Sequence, residues 1–223
     1  ASMKALDGRI TIGGFYDDVV ELTVEDREAI ARVPFDEDEY AAKMGVPEPF
    51  GEAGYTVAER LWARPTLELN GIWGGYRGSG TKTVIPSQAH AKITCRLVAD
   101  QSPEEIVRLI REHVETHTPP GVTVEVDRLP ATAKPFLMPR GHNASEIAGK
   151  VLRDMYGKEP YKTRVGGSIP VMSMLLDELG VHATMLAFGL DDEQIHAPNE
   201  FFRLSSFRRS QECYCRLMEV LGA

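Results

Sequence analysis

Between Ala89 and Ala99, small and apolar side chains alternate with polar ones. Ala89, Ala91, Ile93, Cys95 and Leu97 share one face, and His90, Lys92, Thr94 and Arg96 share the other. Successive strand side chains point to opposite faces, so this run specifies a strand with one buried and one polar face. Such a strand belongs to an antiparallel sheet covered on one side only. Just beyond it, Ser102-Pro103-Glu104-Glu105 is a helix start, with Ser as N-cap, Pro in the first turn and Glu closing a capping box. Ile106, Leu109, Ile110 and Val114 follow at helical spacing and supply the apolar stripe that covers the sheet. The polar face leaves Arg96 either in a surface ion pair or free to meet a ligand.

The preceding residues read the same way. Arg9–Ile12 is a strand ending at Gly13-Gly14. Thr23 caps a helix over Val24–Arg32, Asp36 caps a second ending at Gly45, and Thr56 with Glu59 opens a third that Pro65 stops. Thr66–Trp73 is a strand by the alternation of Leu67, Leu69 and Ile72. The segment Gly74–Pro86, GGYRGSGTKTVIP, nearly spells a phosphate loop, but Thr81 separates Gly80 from Lys82, so it reads as a flexible connection between strands. His113 and His117 stand one helical turn apart. Val114 takes the place where a zincin helix has Glu, so the pair reads as helix-end histidines facing the dipole. After Pro119-Pro120-Gly121, Val122–Val126 is a further strand. Residues 1–127 are expected to form an α+β layer on one antiparallel sheet.

Three prolines between Arg128 and Gly141 mark a crossing into a second domain, residues 128–223. There Ala144–Tyr156 is a helix with Ile147, Val151, Leu152 and Met155 inward. Gly166–Val171, GGSIPV, leads into a helix ending at Gly180, with Ser168 as N-cap. Two glycines before a helix N-terminus suit an anion, and plain capping accounts for them equally. Val181–Phe188 reads as a strand and Phe201–Leu221 as a terminal helix with Leu204, Phe207, Tyr214, Leu217 and Leu221. Between them lies Gly189–Glu200, GLDDEQIHAPNE. A loop at a strand end is a usual seat of chemistry, and its His196 is either a solvated histidine or a metal ligand. One histidine cannot hold zinc, which takes three or four protein ligands.

Composition narrows the function. The 223 residues carry a net charge of −8, which disfavours nucleic acid and anionic membranes as partners. No apolar run approaches the ~20 residues of a membrane helix. The opening ASMKALDGRI has no apolar signal segment and begins in mid-pattern. The cysteines are odd in number, and Cys213 and Cys215 lie on different faces of one helix; a reducing cytoplasm fits best.

The segments SGTKTVIP, ITCRLVAD, GGSIPV and IHAPNE, in this order and spacing, resemble the dinuclear zinc exopeptidases of metallopeptidase family twenty, above all the carnosinase-like dipeptidases. The resemblance covers essentially the whole chain. It implies an antiparallel-sheet lid that dimerises, residues 1–127 with its N-terminal edge missing, followed by the C-terminal part of an α/β catalytic domain, residues 128–223. It implies that His196 is a terminal zinc ligand, and that Thr83, Arg96, Gly167 and Ser168 bind substrate. It also implies two zinc ions in the intact enzyme, with manganese or cobalt as alternatives. The substrate is expected to be a short peptide or N-acyl amino acid, and the assembly a homodimer. In the family the His-x-Asp motif, a bridging Asp, a paired Glu supplying the general base and a His-Ser-Gly element lie upstream. Neither His-x-Asp nor His-Ser-Gly occurs in these residues. The expectation is the C-terminal half of an enzyme, inactive alone and with no catalytic residue of its own. Val165 stands where some relatives have Glu. An aminoacylase or N-deacylase of the same family, or a non-catalytic dimerising module, are the alternatives.

Overall fold

The computed structural model describes residues 2–130, 132–164 and 169–222. The chain divides into two compact units, Ala1–Phe136 with Lys162–Ser173, and Leu137–Tyr161 with Met174–Ala223.

The first unit opens with three short helices, each set by its cap. In α1, Val24–Ala31, the Thr23 hydroxyl accepts from Asp26 N, and the Asp26 carboxylate accepts from Thr23 N. In α2, Glu37–Met44, Asp36 accepts from Glu39 N at 2.9 Å, and Gly45 ends the helix at φ 68°. In α3, Val57–Ala63, Thr56 and Glu59 exchange both bonds of a capping box. Each cap contributes about 1 kcal/mol and fixes where the helix begins, while helices this short owe most of their stability to packing. α1 packs on α3, where Nη1 of Arg27 donates to both oxygens of the buried Glu59.

The expected strand pair forms. β1, Thr66–Gly74, runs antiparallel to β2, Ala89–Arg96, with Leu67 opposite Cys95 and Gly74 opposite Ala89. The register breaks between Leu69 and Gly71, which leaves Asn70 as a bulge. Only one end of this ribbon is buried. Leu67 joins Ile10, Ile12, Phe15, Ile106, Leu109 and Ile110 in the core, with Ile93, Cys95 and Leu97 packed against it. The last three of the core residues come from α4, Pro103–His117, which Ser102 caps by accepting from Glu105 N; the Glu105 carboxylate accepts from Arg108 instead, so the expected capping box does not close. Leu69 and Ile72, read from the sequence as facing inward, are instead exposed, because the ribbon extends past the helix that covers Leu67. Buried Gln101 secures this layer: it accepts from Val98 N at 3.0 Å and donates to Phe15 O at 2.8 Å. Gly14, at φ 78°, lets the chain turn against Leu109, where a Cβ would come within 3.2 Å of the leucine.

Three expected strands do not form ladders among the described residues. Ile10 makes a single bridge with Lys4, and the Val122–Val126 and Val181–Phe188 segments are unpaired. A strand is completed by its neighbour's N–H and C=O groups, and no described segment offers these runs a partner. The sheet is therefore two-stranded in a mixed helical and antiparallel fold.

In the second unit α5, Asn143–Tyr156, packs against α7, Leu204–Gly222. α6, Pro170–Leu179, carries the chain across the division at Ser173. In α5, Val151 is buried and Ile147, Leu152 and Met155 are half-buried, on the expected face, with Ala148 added to it. α7 differs from expectation. Its inward residues are Ser206 and Cys213, with the expected Leu217 half-buried, whereas Leu204, Phe207, Tyr214 and Leu221 are exposed. Among the described residues no helix is long and apolar enough to cross a membrane.

Candidate functional site

His196 sits in a closed loop that follows the extended Val181–Phe188 segment. The Tyr214 hydroxyl donates to Leu186 O at 2.7 Å, which ties this segment to α7. A single 3-10 turn, Asp191–Glu193, then bends the chain, and Phe201 N returns to Glu193 O at 3.2 Å. Within the loop Gln194, His196 and Asn199 have φ values of 53°, 63° and 64°. Three non-glycine residues in the left-handed region of one short loop are uncommon, and such conformations gather at functional sites. The backbone N–H of His196 donates to Glu200 Oε2 at 3.3 Å, and the residue is exposed. Among the described residues its ring has no hydrogen-bond partner.

Glu193 is the residue that sequence reading missed. It is 1% exposed. Leu190 N donates to its Oε2 at 2.9 Å, and Arg203 N and Nη1 donate to its Oε1 at 3.0 and 3.1 Å. The Leu190 N–H first, then the backbone and side-chain donors of Arg203, hold its carboxyl below the usual carboxylate range. In the sequence Glu193 is one of three consecutive acids, with nothing in the run to set it apart. Arg203, ten residues on and donating to both Asp192 and Glu193, was the available signal.

The other expected site residues lie in the first unit. Arg96 closes β2 opposite Thr66 and is exposed on the polar face. Among the described residues nothing pairs with its guanidinium, so the surface ion pair is not made. Thr83 is exposed at the tip of a γ-turn in which Val84 N donates to Lys82 O at 2.9 Å. The turn belongs to the connection between Gly74 and Ala89, whereas Arg96 ends β2, about 23 Å of strand from Ala89. Among the described residues no hydrogen bond or ion pair joins Thr83 to Arg96. Gly167 and Ser168 lie outside the described residues. The fold does contact the approach to them: Arg164 Nη2 donates to Asp26 Oδ1 at 2.6 Å, within the first unit.

For a metal, His196 fits the part of one terminal ligand and no more. Among the described residues no group of three His, Cys, Asp or Glu side chains is arranged to hold an ion. His113 and His117 do stack, with ring centroids 4.0 Å apart, but His117 Nδ1 bonds to its own helix at His113 O, 2.7 Å away, and His113 Nε2 lies 3.0 Å from the Ser2 hydroxyl.

A helix-covered antiparallel ribbon and a separate unit with a strained histidine loop are what comparison with known proteins must explain. Residues 2–122 match the peptidase dimerisation domain of the M20 peptidases, and the chain belongs to that family. Among curated proteins it is 30% identical over 207 residues to a Cys-Gly metallodipeptidase of Candida albicans, covering 90% of this chain and 42% of that protein. It is 26% identical over 201 residues to the human Beta-Ala-His dipeptidase, covering 89% of this chain and 40% of that one. Among solved structures it matches an M20 family metallo-carboxypeptidase, Sso-CP2 from Sulfolobus solfataricus, with a TM-score of 0.83 and 27% identity, covering 97% of this chain and 49% of that chain. Human carnosine dipeptidase 1, at a TM-score of 0.78 and 24% identity, covers 97% of this chain and 46% of that chain and shares the fold. The chain thus spans less than half the length of the relatives it matches. The resemblance to family-twenty metallopeptidases read from four sequence motifs is shown by these matches.

Proposed function

We propose that this chain is part of a metallo-exopeptidase that hydrolyses dipeptides or short peptides. The observation that carries the reading is His196, held outward at positive φ in a chain whose relatives are metallodipeptidases. His196 serves as one zinc ligand, and the other ligands and the general base come from outside residues 1–223. When bound, zinc polarises the scissile carbonyl and lowers the pKa of a bound water. Residues 1–127 act as the lid and dimerisation domain and residues 128–223 as part of the catalytic domain, in a homodimer. The three unpaired thiols favour a reducing compartment such as the cytoplasm.

Substrate recognition falls to Arg96, Thr83, Gly167 and Ser168. A peptide cut at its C-terminal residue carries a free carboxylate, and an unpaired guanidinium on an open strand face suits it, because the planar fork bonds both oxygens. In the whole enzyme Arg96→Ala is expected to reduce kcat/KM on free dipeptides by about 2–4 kcal/mol in transition-state terms. The loss shrinks for C-terminally amidated substrates. Unchanged kcat/KM on free dipeptides would remove Arg96 from the site. Parallel assays with N-acetyl amino acids separate peptidase from deacylase activity.

A further inference from the structure

The loop that carries His196 is fastened by a buried carboxylate, that of Glu193. Glu193 is sequestered, while Asp192 and Glu200 in the same loop are exposed. Its side chain accepts from the backbone on both sides of the loop, Leu190 before and Arg203 after, and its own carbonyl accepts from Phe201 N. The excursion between these anchors contains Gln194, His196 and Asn199, all at positive φ and none of them glycine. Such conformations persist only where the surroundings over-determine them. The internal bonds of the excursion, Ala197 N to Gln194 O, Glu200 N to Ala197 O and His196 N to Glu200 Oε2, span at most four residues and cannot close its neck. Arg203 assists by holding Asp192 with both Nη atoms, at 2.9 and 2.5 Å, while donating to Glu193.

We propose that Glu193 is the positioning residue of His196: its carboxylate clasps the two ends of the loop and holds the histidine in its left-handed, outward-facing conformation before any divalent metal arrives. A carboxylate is suited to this task because it offers acceptors on two oxygens and no donor. An amide in its place keeps one acceptor and turns an N–H toward a backbone N–H. Pre-organisation of this kind removes the ordering cost from the binding step. The functional meaning of the clasp rests on the reading of His196 as a metal ligand; its geometry does not.

The test uses the 223-residue chain, uniformly labelled for NMR, as wild type and as Glu193→Ala, Glu193→Gln and His196→Ala. Amide exchange at Leu190, Phe201 and Arg203 reports the clasp. The intraresidue HN–Hα cross-peak of His196 reports its positive φ. Line broadening of the His196 ring on titration with Co²⁺ reports ligand presentation. Expected for Glu193→Ala is roughly tenfold or greater loss of protection at the three amides, with α5 and α7 protection unchanged. The positive-φ signature disappears, and the Co²⁺ concentration for half-broadening rises. Glu193→Gln loses protection at one of Leu190 and Arg203 and keeps the other, so it decides the matter if the alanine variant fails to fold. Unchanged protection and unchanged His196 φ in both variants would overturn the proposal. If the wild-type ring ignores Co²⁺ while Glu193→Ala still releases the loop, the clasp stands and the metal reading of His196 fails.

Discussion

The guanidinium of Arg64 meets the carboxylate of Glu52 edge to edge, Nε to Oε2 at 3.0 Å and Nη2 to Oε1 at 2.7 Å. The arginine side chain is 7% exposed and lies across the rings of Tyr55 and Tyr16, 4.4 and 4.9 Å from their centroids. Burial raises the hydroxyl pKa of both tyrosines. Removing one partner of a buried pair strands the other charge, so Arg64→Ala is expected to cost about 3 kcal/mol. Arg64→Lys recovers little of it, since an ammonium can neither fork to Glu52 nor stack on the rings. Urea denaturation followed by tyrosine and tryptophan fluorescence measures both; an Arg64→Ala midpoint equal to wild type would refute the assignment.

Arg108 makes a contrasting case. It bonds to Glu105 and Glu112 along α4 with every partner solvent-exposed. Exposed pairs along a helix face are offset by solvation and side-chain entropy. Arg108→Ala is therefore expected to leave the unfolding midpoint in 150 mM salt within experimental scatter. A clear fall in that midpoint would mean that these pairs hold the helix.

The three thiols differ in access. Cys213 is fully buried and Cys95 half-buried, with burial pushing the Cys95 thiol up to about 11, whereas Cys215 is exposed. The thiolate is the reactive form. One equivalent of a thiol reagent such as DTNB should react quickly at pH 8, and peptide mapping should place it on Cys215. The other two should label only after unfolding. Rapid labelling of Cys95 would contradict the packing of β2 on the core.

The acid limb of stability should carry a contribution from Glu193. Its carboxyl is held low in the folded loop by the Leu190 N–H and then by Arg203. A depressed folded pKa gives stability that is fully present above the unfolded carboxylate value, about 4.3, and is lost as pH falls through the lower folded value. Glu193→Gln cannot lose a proton, so its unfolding midpoint should fall less steeply than wild type between about pH 4 and pH 2. Parallel curves for the two proteins would show that the carboxylate is not held.

Caps at Thr23, Asp36, Thr56 and Ser102, the helix stop at Gly45, and the alternation that marks β1 and β2 as strands were all legible in the sequence. Each depends on groups within a few residues of one another, or on a period the chain repeats. The four motifs carried the family for a related reason: their order along the chain is itself sequence information. What tertiary structure decided is of another kind. Leu69 alternates with Leu67, and the bulge at Asn70 brings Ile72 to the same face, yet both stay exposed, because α4 covers only one end of the ribbon. Val122–Val126 and Val181–Phe188 have strand composition, but a strand exists only where a neighbour supplies its hydrogen bonds. On α7 the helical period leaves open which stripe turns inward, and packing on α5 chose the one through Ser206 and Cys213 over Leu204 and Phe207. Glu193 could not be told from its acidic neighbours until Leu190 and Arg203 came together around it, since a buried carboxylate is defined by donors that only the closed loop assembles.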